Sequence, residues 1–153
     1  GNPLKILLDA SALLPLVTQS GKKLITEAAN ADLWTTDLAI YESCNALWKL
    51  ATLLKTLTLE EAQNISEVLK ELTDKNLIKT TNFTSINLPN TIDIAQKLQL
   101  SFYDASYITA SQNLKATLAT EDQKLLKAAS KYARTITFSG LQNELAKIQT
   151  NSK

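Results

Sequence analysis

The sequence contains no histidine and no methionine, a single cysteine, and only three glycines and three prolines. The lack of histidine excludes Ser-His and Cys-His catalytic triads, histidine acid–base chemistry and the common zinc sites. Because Cys44 stands alone, the chain cannot form an internal disulfide, and the helical pattern around Cys44 predicts a buried thiol. Any catalysis by this chain must therefore rely on carboxylates, hydroxyls, lysines or a hard metal ion.

Long apolar runs are also missing. No segment approaches the ~20 apolar residues that a membrane span requires, and no secretory signal pattern opens the chain. We therefore expect a cytoplasmic protein with no membrane contact. The 153 residues, 44% of them hydrophobic, suffice for one globular domain. We expect this single domain over residues 1–149 and a disordered tail over residues 150–153.

Short apolar runs alternate with longer segments of helical periodicity, as is typical of an α/β protein. The runs predict strands over 6–8, 33–35, 77–80, 116–119 and 134–138. The periodic segments predict helices over 11–17, 20–30, 37–55, 58–74, 90–98, 103–113, 123–132 and 139–149. This alternation predicts a three-layer α/β/α sandwich around a central, mostly parallel sheet of four to five short strands.

Three local features refine the helices. Pro15 is expected within the first turn of its helix, where a missing N–H costs little. The apolar stripe of the helix over 37–55 is expected to end at Leu54. Thr58 and Glu61 form a capping box that starts the next helix, and the two helices together predict a protruding helical hairpin.

Four acidic residues lie at element ends or beside apolar runs, where a solvated acid is not expected. They are Asp9, Glu42, Asp104 and Asp122, here called the acidic cluster. Each alone has a structural explanation, because acids cap helices and gain roughly 0.3–1 kcal/mol in the first helical turn. Together they are predicted to converge, since strand C-termini and helix N-termini share one edge of a parallel sheet.

Convergence of these carboxylates would favour a bound cation. Several carboxylates within a few ångströms raise one another's pKa, and a divalent ion removes that repulsion. Oxygen ligands without histidine or cysteine favour Mg²⁺ or Mn²⁺ over zinc. Because such ions commonly bind substrate phosphates and activate water, a phosphodiester is the expected substrate class.

The motifs around these acids resemble those of the PIN-domain ribonucleases, and among them the VapC-type toxins of toxin–antitoxin pairs. The matching segments are Leu7-Leu8-Asp9-Ala10-Ser11-Ala12-Leu13, Tyr41-Glu42-Ser43-Cys44-Asn45-Ala46-Leu47-Trp48-Lys49, Tyr103-Asp104-Ala105-Ser106-Tyr107-Ile108-Thr109-Ala110-Ser111 and Leu118-Ala119-Thr120-Glu121-Asp122. No single segment is specific, but their order, spacing and structural context agree over nearly the whole chain.

The resemblance implies a PIN-like fold and an endoribonuclease dependent on Mg²⁺ or Mn²⁺. It gives the whole acidic cluster a catalytic role and makes Asp9, Asp104 and Asp122 the metal ligands. It gives supporting roles to three further residues. The hydroxyls of Ser11 and Thr120 would lie near the metal, and the amide of Asn45 near Glu42. Glu121, beside Asp122, makes the fourth position ambiguous, and we prefer Asp122.

The resemblance also implies partners. It implies an RNA substrate, homodimerisation, and a small antitoxin protein that covers the site. We expect the antitoxin at the helical hairpin over residues 37–74. Lys49 shares a helix face with Glu42 and Asn45 and could hold RNA, although a solvated surface lysine is the more common case. Tyr107 could stack on a base, but core packing is the more common use of such a tyrosine.

Other functions are compatible with the same residues. A DNA-directed nuclease could use the same acidic centre, and a catalytically silent PIN-like module could bind RNA or protein without cutting. Phosphatases of the DxD type also place an aspartate at a strand end, but Ser11 occupies the position of their second aspartate. The sequence does not identify the RNA that is cleaved.

Overall fold

The computed structural model describes residues 4–21, 23–24 and 31–151. Within these ranges, five strands form one sheet in the order β3-β2-β1-β4-β5, and every neighbouring pair is parallel. The strands are β1 Lys5–Leu8, β2 Asp32–Thr36, β3 Lys79–Thr81, β4 Thr117–Ala119 and β5 Thr135–Ile136. The predicted parallel sheet of four to five short strands is therefore confirmed.

Seven α-helices flank this sheet in the described part of the chain. They are α1 Ala10–Ser20, α2 Asp37–Thr52, α3 Leu59–Asp74, α4 Leu88–Leu98, α5 Phe102–Leu114, α6 Gln123–Ala129 and α7 Phe138–Asn151, with a 3₁₀ turn at Phe83–Ser85. The predicted helix over residues 20–30 lies largely outside the described residues. Helix α7 extends into the predicted tail, of which residues 152–153 also lie outside the described part.

Side-chain caps fix where the helices begin. Thr36 accepts a hydrogen bond from the Ala39 N–H at the start of α2, and Asp9 accepts one from the Ala12 N–H at the start of α1. Thr58 and Glu61 form the predicted reciprocal capping box of α3. Such caps satisfy amides that have no partner inside the helix. Two of these caps, Asp9 and Thr36, lie at the carboxyl ends of β1 and β2, so α1 and α2 begin at that edge of the sheet.

The core is built around β1 and α5. Ile6, Leu7 and Leu8 are fully buried, because the central strand of a sheet covered on both faces has no solvent side. In α5, all residues over 105–111 are buried, and small side chains such as Ala105 and Ala110 let the helix approach the strands closely. Helix α5 contacts both β1 and β4. This packing holds its N-terminus at the carboxyl edge of the sheet.

Three local predictions are wrong. Pro15 lies inside α1, beyond its first turn, so the Ser11 carbonyl has no N–H donor four residues ahead. Cys44 is exposed rather than buried, because the buried row of α2 runs through Ala39, Ser43 and Leu47. Leu54 is 65% exposed, since α2 ends at Thr52 and the helical stripe does not reach it.

The helical hairpin of α2 and α3 packs against α1 and exposes its tip, where Leu53, Leu54 and Leu59 are open to solvent. The base of the hairpin is therefore packed against the domain, while its tip is exposed to solvent. Within the described ranges, no helix combines the length and the apolar character that crossing a membrane requires.

Candidate functional site

An open cavity of about 450 Å³ lies at the carboxyl edge of the sheet. All four members of the acidic cluster line it. They come from the end of β1, the second turn of α2, the first turn of α5 and the start of α6. The predicted convergence of these carboxylates on one edge is thus found in the fold, and we call this space the acidic cavity.

Asp9 is the most constrained of the four. Its Oδ1 accepts hydrogen bonds from Ser11 Oγ at 2.6 Å and from the Ala12 N–H at 3.0 Å, and its Oδ2 accepts one from Thr120 Oγ1. Asp9 is only 4% exposed. The carboxylate therefore acts as the N-cap of α1 and is also held in place from the residue after β4.

Ser11 and Thr120 link the segments that follow β1 and β4. Ser11 Oγ also accepts a hydrogen bond from the Glu121 N–H at 2.8 Å, and Thr120 Oγ1 accepts one from the Asp122 N–H at 3.1 Å. The two hydroxyls lie 3.3 Å apart. They connect the loop after β4 to the carboxylate after β1, so both predicted supporting hydroxyls contact Asp9 directly.

The environment of Asp9 disfavours its charged form. Burial raises the pKa of the Asp9 carboxyl, and the negative charge of Glu42 raises it further. The hydrogen bonds from Ser11, Thr120 and Ala12 lower that pKa but do not cancel the effect of burial. A positive charge in the cavity would favour ionised Asp9.

Asp104 lies in the first turn of α5, whose N-cap is Ser101. Burial raises the pKa of Asp104, and the charges of Asp122 and Glu42 raise it further, in that order. The positive charge of Lys124 lowers the pKa of Asp104 but does not cancel these effects. Mutual repulsion of this kind requires that the carboxylates lie near one another.

Asp122 and Glu121 point to different partners. Asp122 lines the acidic cavity, and its Oδ1 caps α6 by accepting from the Lys124 and Leu125 N–H groups at 2.9 and 3.1 Å. Glu121 Oε1 instead accepts a hydrogen bond from the Phe138 N–H at the start of α7. The geometry thus favours Asp122 over Glu121 as the fourth acid.

Glu42 has a partner that sequence reasoning did not assign. The Tyr107 hydroxyl donates a hydrogen bond to Glu42 Oε1 at 2.5 Å, and the Tyr107 side chain lines the acidic cavity. Burial, followed by the contact with Glu42, raises the pKa of Tyr107 well above its usual range. The available signal was spacing, because Tyr107 lies three residues after Asp104 on the same helix face.

Polar residues of α2 complete the wall. Asn45 and Lys49 line the acidic cavity together with Glu42, as their spacing predicts. All three are exposed to solvent. The cavity therefore offers an amide and an ammonium group beside the carboxylates, which are suitable contacts for an anionic ligand.

The donor set fits a hard divalent cation. The cavity offers carboxylate, hydroxyl and amide oxygens, which Mg²⁺ and Mn²⁺ prefer. Over residues 4–21, 23–24 and 31–151, no three acidic or cysteine side chains are arranged to hold an ion on their own. Mg²⁺ commonly binds through one or two carboxylates and completes its shell with water and phosphate. A cavity lined by separated carboxylates suits that mode of binding.

Comparison with known proteins agrees with this architecture. The PIN domain family matches residues 6–131. A curated relative, Ribonuclease VapC3 from Pyrobaculum aerophilum, is 30% identical over 129 residues, which cover 80% of this chain and 92% of the relative. Exonuclease VapC9 from the same organism is 32% identical over 127 residues, which cover 81% of this chain and 85% of that relative.

A solved structure has the same fold. The crystal structure of PAE2754 from Pyrobaculum aerophilum superposes with a TM-score of 0.72 at 28% sequence identity, and the match covers 94% of this chain and 90% of that one. The sequence match, the relatives and the fold all lead to one assignment. The chain belongs to the PIN-domain family and, within it, is of the VapC type.

Proposed function

We propose that this chain is a metal-dependent endoribonuclease that hydrolyses RNA phosphodiester bonds with Mg²⁺ or Mn²⁺. One observation carries the proposal: the four carboxylates of the acidic cluster, supplied by four separate elements, line a single open cavity. Burial and mutual repulsion disfavour the charged forms of Asp9 and Asp104 there. A site that keeps such carboxylates together gains from a cation, and a phosphodiester adds further negative charge to be neutralised.

Each residue then has a defined task. One or two of Asp9, Asp104 and Asp122 would bind the cation directly and the remainder through water molecules, and Ser11 and Thr120 would keep Asp9 in its orientation. A divalent cation bound there would neutralise charge on the scissile phosphate and make a water molecule a stronger nucleophile at neutral pH.

The residues of α2 would act on the water and the RNA. Glu42 would orient the attacking water and accept its proton, since Oε2 of Glu42 has no donor among the described residues. Asn45 would hydrogen-bond the RNA close to the scissile bond, because it lines the same wall of the cavity.

Cleavage of a labelled single-stranded RNA tests this proposal. We expect cleavage with Mg²⁺ or Mn²⁺, loss of cleavage in EDTA, and a decrease of at least about 100-fold in kcat for Asp9→Asn and for Asp104→Asn. Asp74→Asn is the matched control, because Asp74 is an exposed acid paired with Lys70 on α3. If both cavity variants cleave like the parent protein, the proposal is wrong.

The mode of attack is a separate question, because one relative is called a ribonuclease and another an exonuclease. A circular RNA and its linear form distinguish the two modes, since a circle has no end. An endonuclease cleaves both, whereas an exonuclease degrades only the linear form. A circular DNA of the same sequence tests the DNA-directed alternative.

We further propose that the chain is the toxin of a toxin–antitoxin pair and acts in the cytoplasm. The names of its relatives support this role. The exposed apolar residues Trp48, Leu53, Leu54 and Leu59 on the helical hairpin would contact the small antitoxin. Leu54→Lys should abolish co-purification of the antitoxin from a co-expressing cell, whereas Leu88→Lys on α4 should not.

Homodimerisation is the remaining part of this proposal. An apolar groove of about 240 Å³ lies beside the acidic cavity, and its rim carries the exposed rings of Tyr41, Phe83, Phe102 and Tyr103. Clustered exposed aromatics are typical of protein interfaces. A second copy seated there would border both acidic cavities, since Tyr41 precedes Glu42 and Tyr103 precedes Asp104. Sedimentation should give a dimer for the parent protein and a monomer for Phe83→Arg.

A further inference from the structure

The hydrogen bond between Tyr107 and Glu42 joins two helices across the acidic cavity. Glu42 is exposed on α2, whereas Tyr107 is only 2% exposed on α5. The Tyr107 hydroxyl donates to Glu42 Oε1 at 2.5 Å, across 65 positions of the chain. A buried tyrosine thus contacts an exposed carboxylate on the wall of the cavity.

An exposed glutamate on a helix surface normally samples many rotamers. The hydroxyl of Tyr107 has little freedom of position, because its ring is packed in the core. A hydrogen bond from this hydroxyl selects the Glu42 rotamers that place Oε1 beside it. The bond also leaves Oε2 of Glu42 without a donor among the described residues.

Tyr107 also connects Glu42 to the helix that carries Asp104. Tyr107 and Asp104 are three residues apart on α5, and both line the acidic cavity. The helix that carries Asp104 therefore also holds the carboxylate of Glu42, which comes from α2. The Tyr107 hydroxyl thus links the helix of Asp104 to the side chain of Glu42.

We propose that Tyr107 is a positioning residue that holds Glu42 in its productive orientation. This inference rests on the proposed function, because it assumes that Glu42 acts on the RNA or its attacking water. Tyr107 donates through its hydroxyl and does not itself exchange a proton with the substrate. Loss of the hydroxyl leaves the ring and its packing intact but allows Glu42 to leave the cavity wall.

Tyr107→Phe is the direct test, with kinetics and a crystal structure as readouts. We expect kcat for RNA cleavage in Mn²⁺ to fall about 10- to 100-fold, while KM stays within about twofold because RNA contacts elsewhere are unchanged. The crystal structure should show Glu42 in other or multiple rotamers. Tyr132→Phe, which removes a hydroxyl from a half-buried tyrosine outside the acidic cavity, should behave like the parent protein.

A double-mutant cycle separates positioning from a general structural role. If Tyr107 acts through Glu42, Tyr107→Phe should cause no further loss of kcat in a Glu42→Gln background. Additive losses would overturn the inference, and so would an unchanged kcat together with an unchanged Glu42 rotamer. If Tyr107→Phe does not fold, Tyr107→Met, which also lacks the hydroxyl and leaves Glu42 unchanged, replaces it in both tests.

The two proposals fail in different ways. A parent protein that cleaves no RNA in Mg²⁺ or Mn²⁺ contradicts the proposed function. In that case the rotamer of Glu42 in crystals of Tyr107→Phe still tests whether Tyr107 positions it. A Glu42 side chain that remains in place without the hydroxyl contradicts the positioning role, whatever the activity.

Discussion

The hydroxyl of Thr120 donates a hydrogen bond to Oδ2 of Asp9 from a position 111 residues further along the chain. Both residues are buried, and they directly follow the adjacent parallel strands β4 and β1. The charged form of Asp9 thus depends on a donor that follows the neighbouring strand. Ser11 supplies a second hydroxyl from the first turn of α1.

Removing the Thr120 hydroxyl should make the activity more sensitive to acid. Hydrogen bonds to the carboxylate lower the pKa of Asp9 against the opposing effect of burial, so Thr120→Val should raise that pKa. A hydrogen bond to a charged group contributes about 1.5–3 kcal/mol. We therefore expect kcat to fall at least about 10-fold at pH 6 and much less at pH 8, measured as a pH–rate profile.

Two variants control this experiment. Thr120→Ser keeps a hydroxyl and should restore most of the activity at pH 6. Thr91→Val removes another buried threonine hydroxyl, outside the acidic cavity, and should leave the pH profile unchanged. A Thr120→Val protein with the profile of the parent would show that the hydroxyl does not support the ionised form of Asp9.

Ionised Asp9 should destabilise the fold when no metal is present. Its pKa is raised above the ordinary value of 3.8, so the folded chain binds more protons than the unfolded chain just above that pH. The free energy of unfolding therefore falls as pH rises through this window. Asp9→Asn should be more stable than the parent at pH 7 in EDTA by roughly 0.5–2 kcal/mol, and the difference should shrink towards pH 4.

Urea unfolding at both pH values checks this prediction. The amide introduced by Asp9→Asn would keep an oxygen for Ser11 and for the Ala12 N–H, and the Thr120 hydroxyl can turn to accept from its NH₂ group. Asp93→Asn, at an exposed acid paired with Lys97, should not gain stability at pH 7. A loss of stability in Asp9→Asn at both pH values would contradict the argument.

Substitutions of Glu121 and Asp122 should have different effects, because we expect Glu121 to be structural and Asp122 to be catalytic. Glu121→Gln loses a charge beside the first amide of α7, so we expect a loss of stability below about 1 kcal/mol and nearly normal activity. Asp122→Asn should lower kcat strongly, because this carboxylate lines the acidic cavity. Thermal unfolding and RNA cleavage measured on both variants check the assignment, and the reverse pattern would make Glu121 the fourth acid.

The sheet and most helix starts could be predicted because their signals are local. Thr58 and Glu61 identify their helix by residue type and spacing alone, and Asp9 is recognisable as an acid at the end of a buried strand. Pro15 shows the limit of such signals. Its place inside α1 depends on how far tertiary packing extends the helix, which the residue itself does not indicate.

The site was predictable in composition but not in its contacts. A parallel sheet brings strand ends together, so the convergence of the acidic cluster follows from topology. The hydrogen bond from Tyr107 to Glu42 does not follow from topology, because it depends on how two helices distant in sequence pack together. A buried tyrosine on a helix is usually a core residue, and only its neighbour across the cavity gives Tyr107 a further role.

Lys49 should contribute to RNA binding through charge alone. It lines the acidic cavity on α2, in the same row as Glu42 and Asn45, where it could contact a backbone phosphate. A phosphate contact carries no base information, so Lys49→Gln should weaken binding of different RNA sequences to a similar degree. The slope of log affinity against log salt concentration should become shallower by about 1.

Fluorescence anisotropy in EDTA measures this binding without cleavage. Lys70→Gln is the matched control, because Lys70 is an exposed lysine on α3 that pairs with Asp74 and does not line the acidic cavity. Its salt dependence should equal that of the parent protein. If Lys49→Gln also keeps the salt slope of the parent, Lys49 does not contact a phosphate and the RNA backbone follows another path past Glu42.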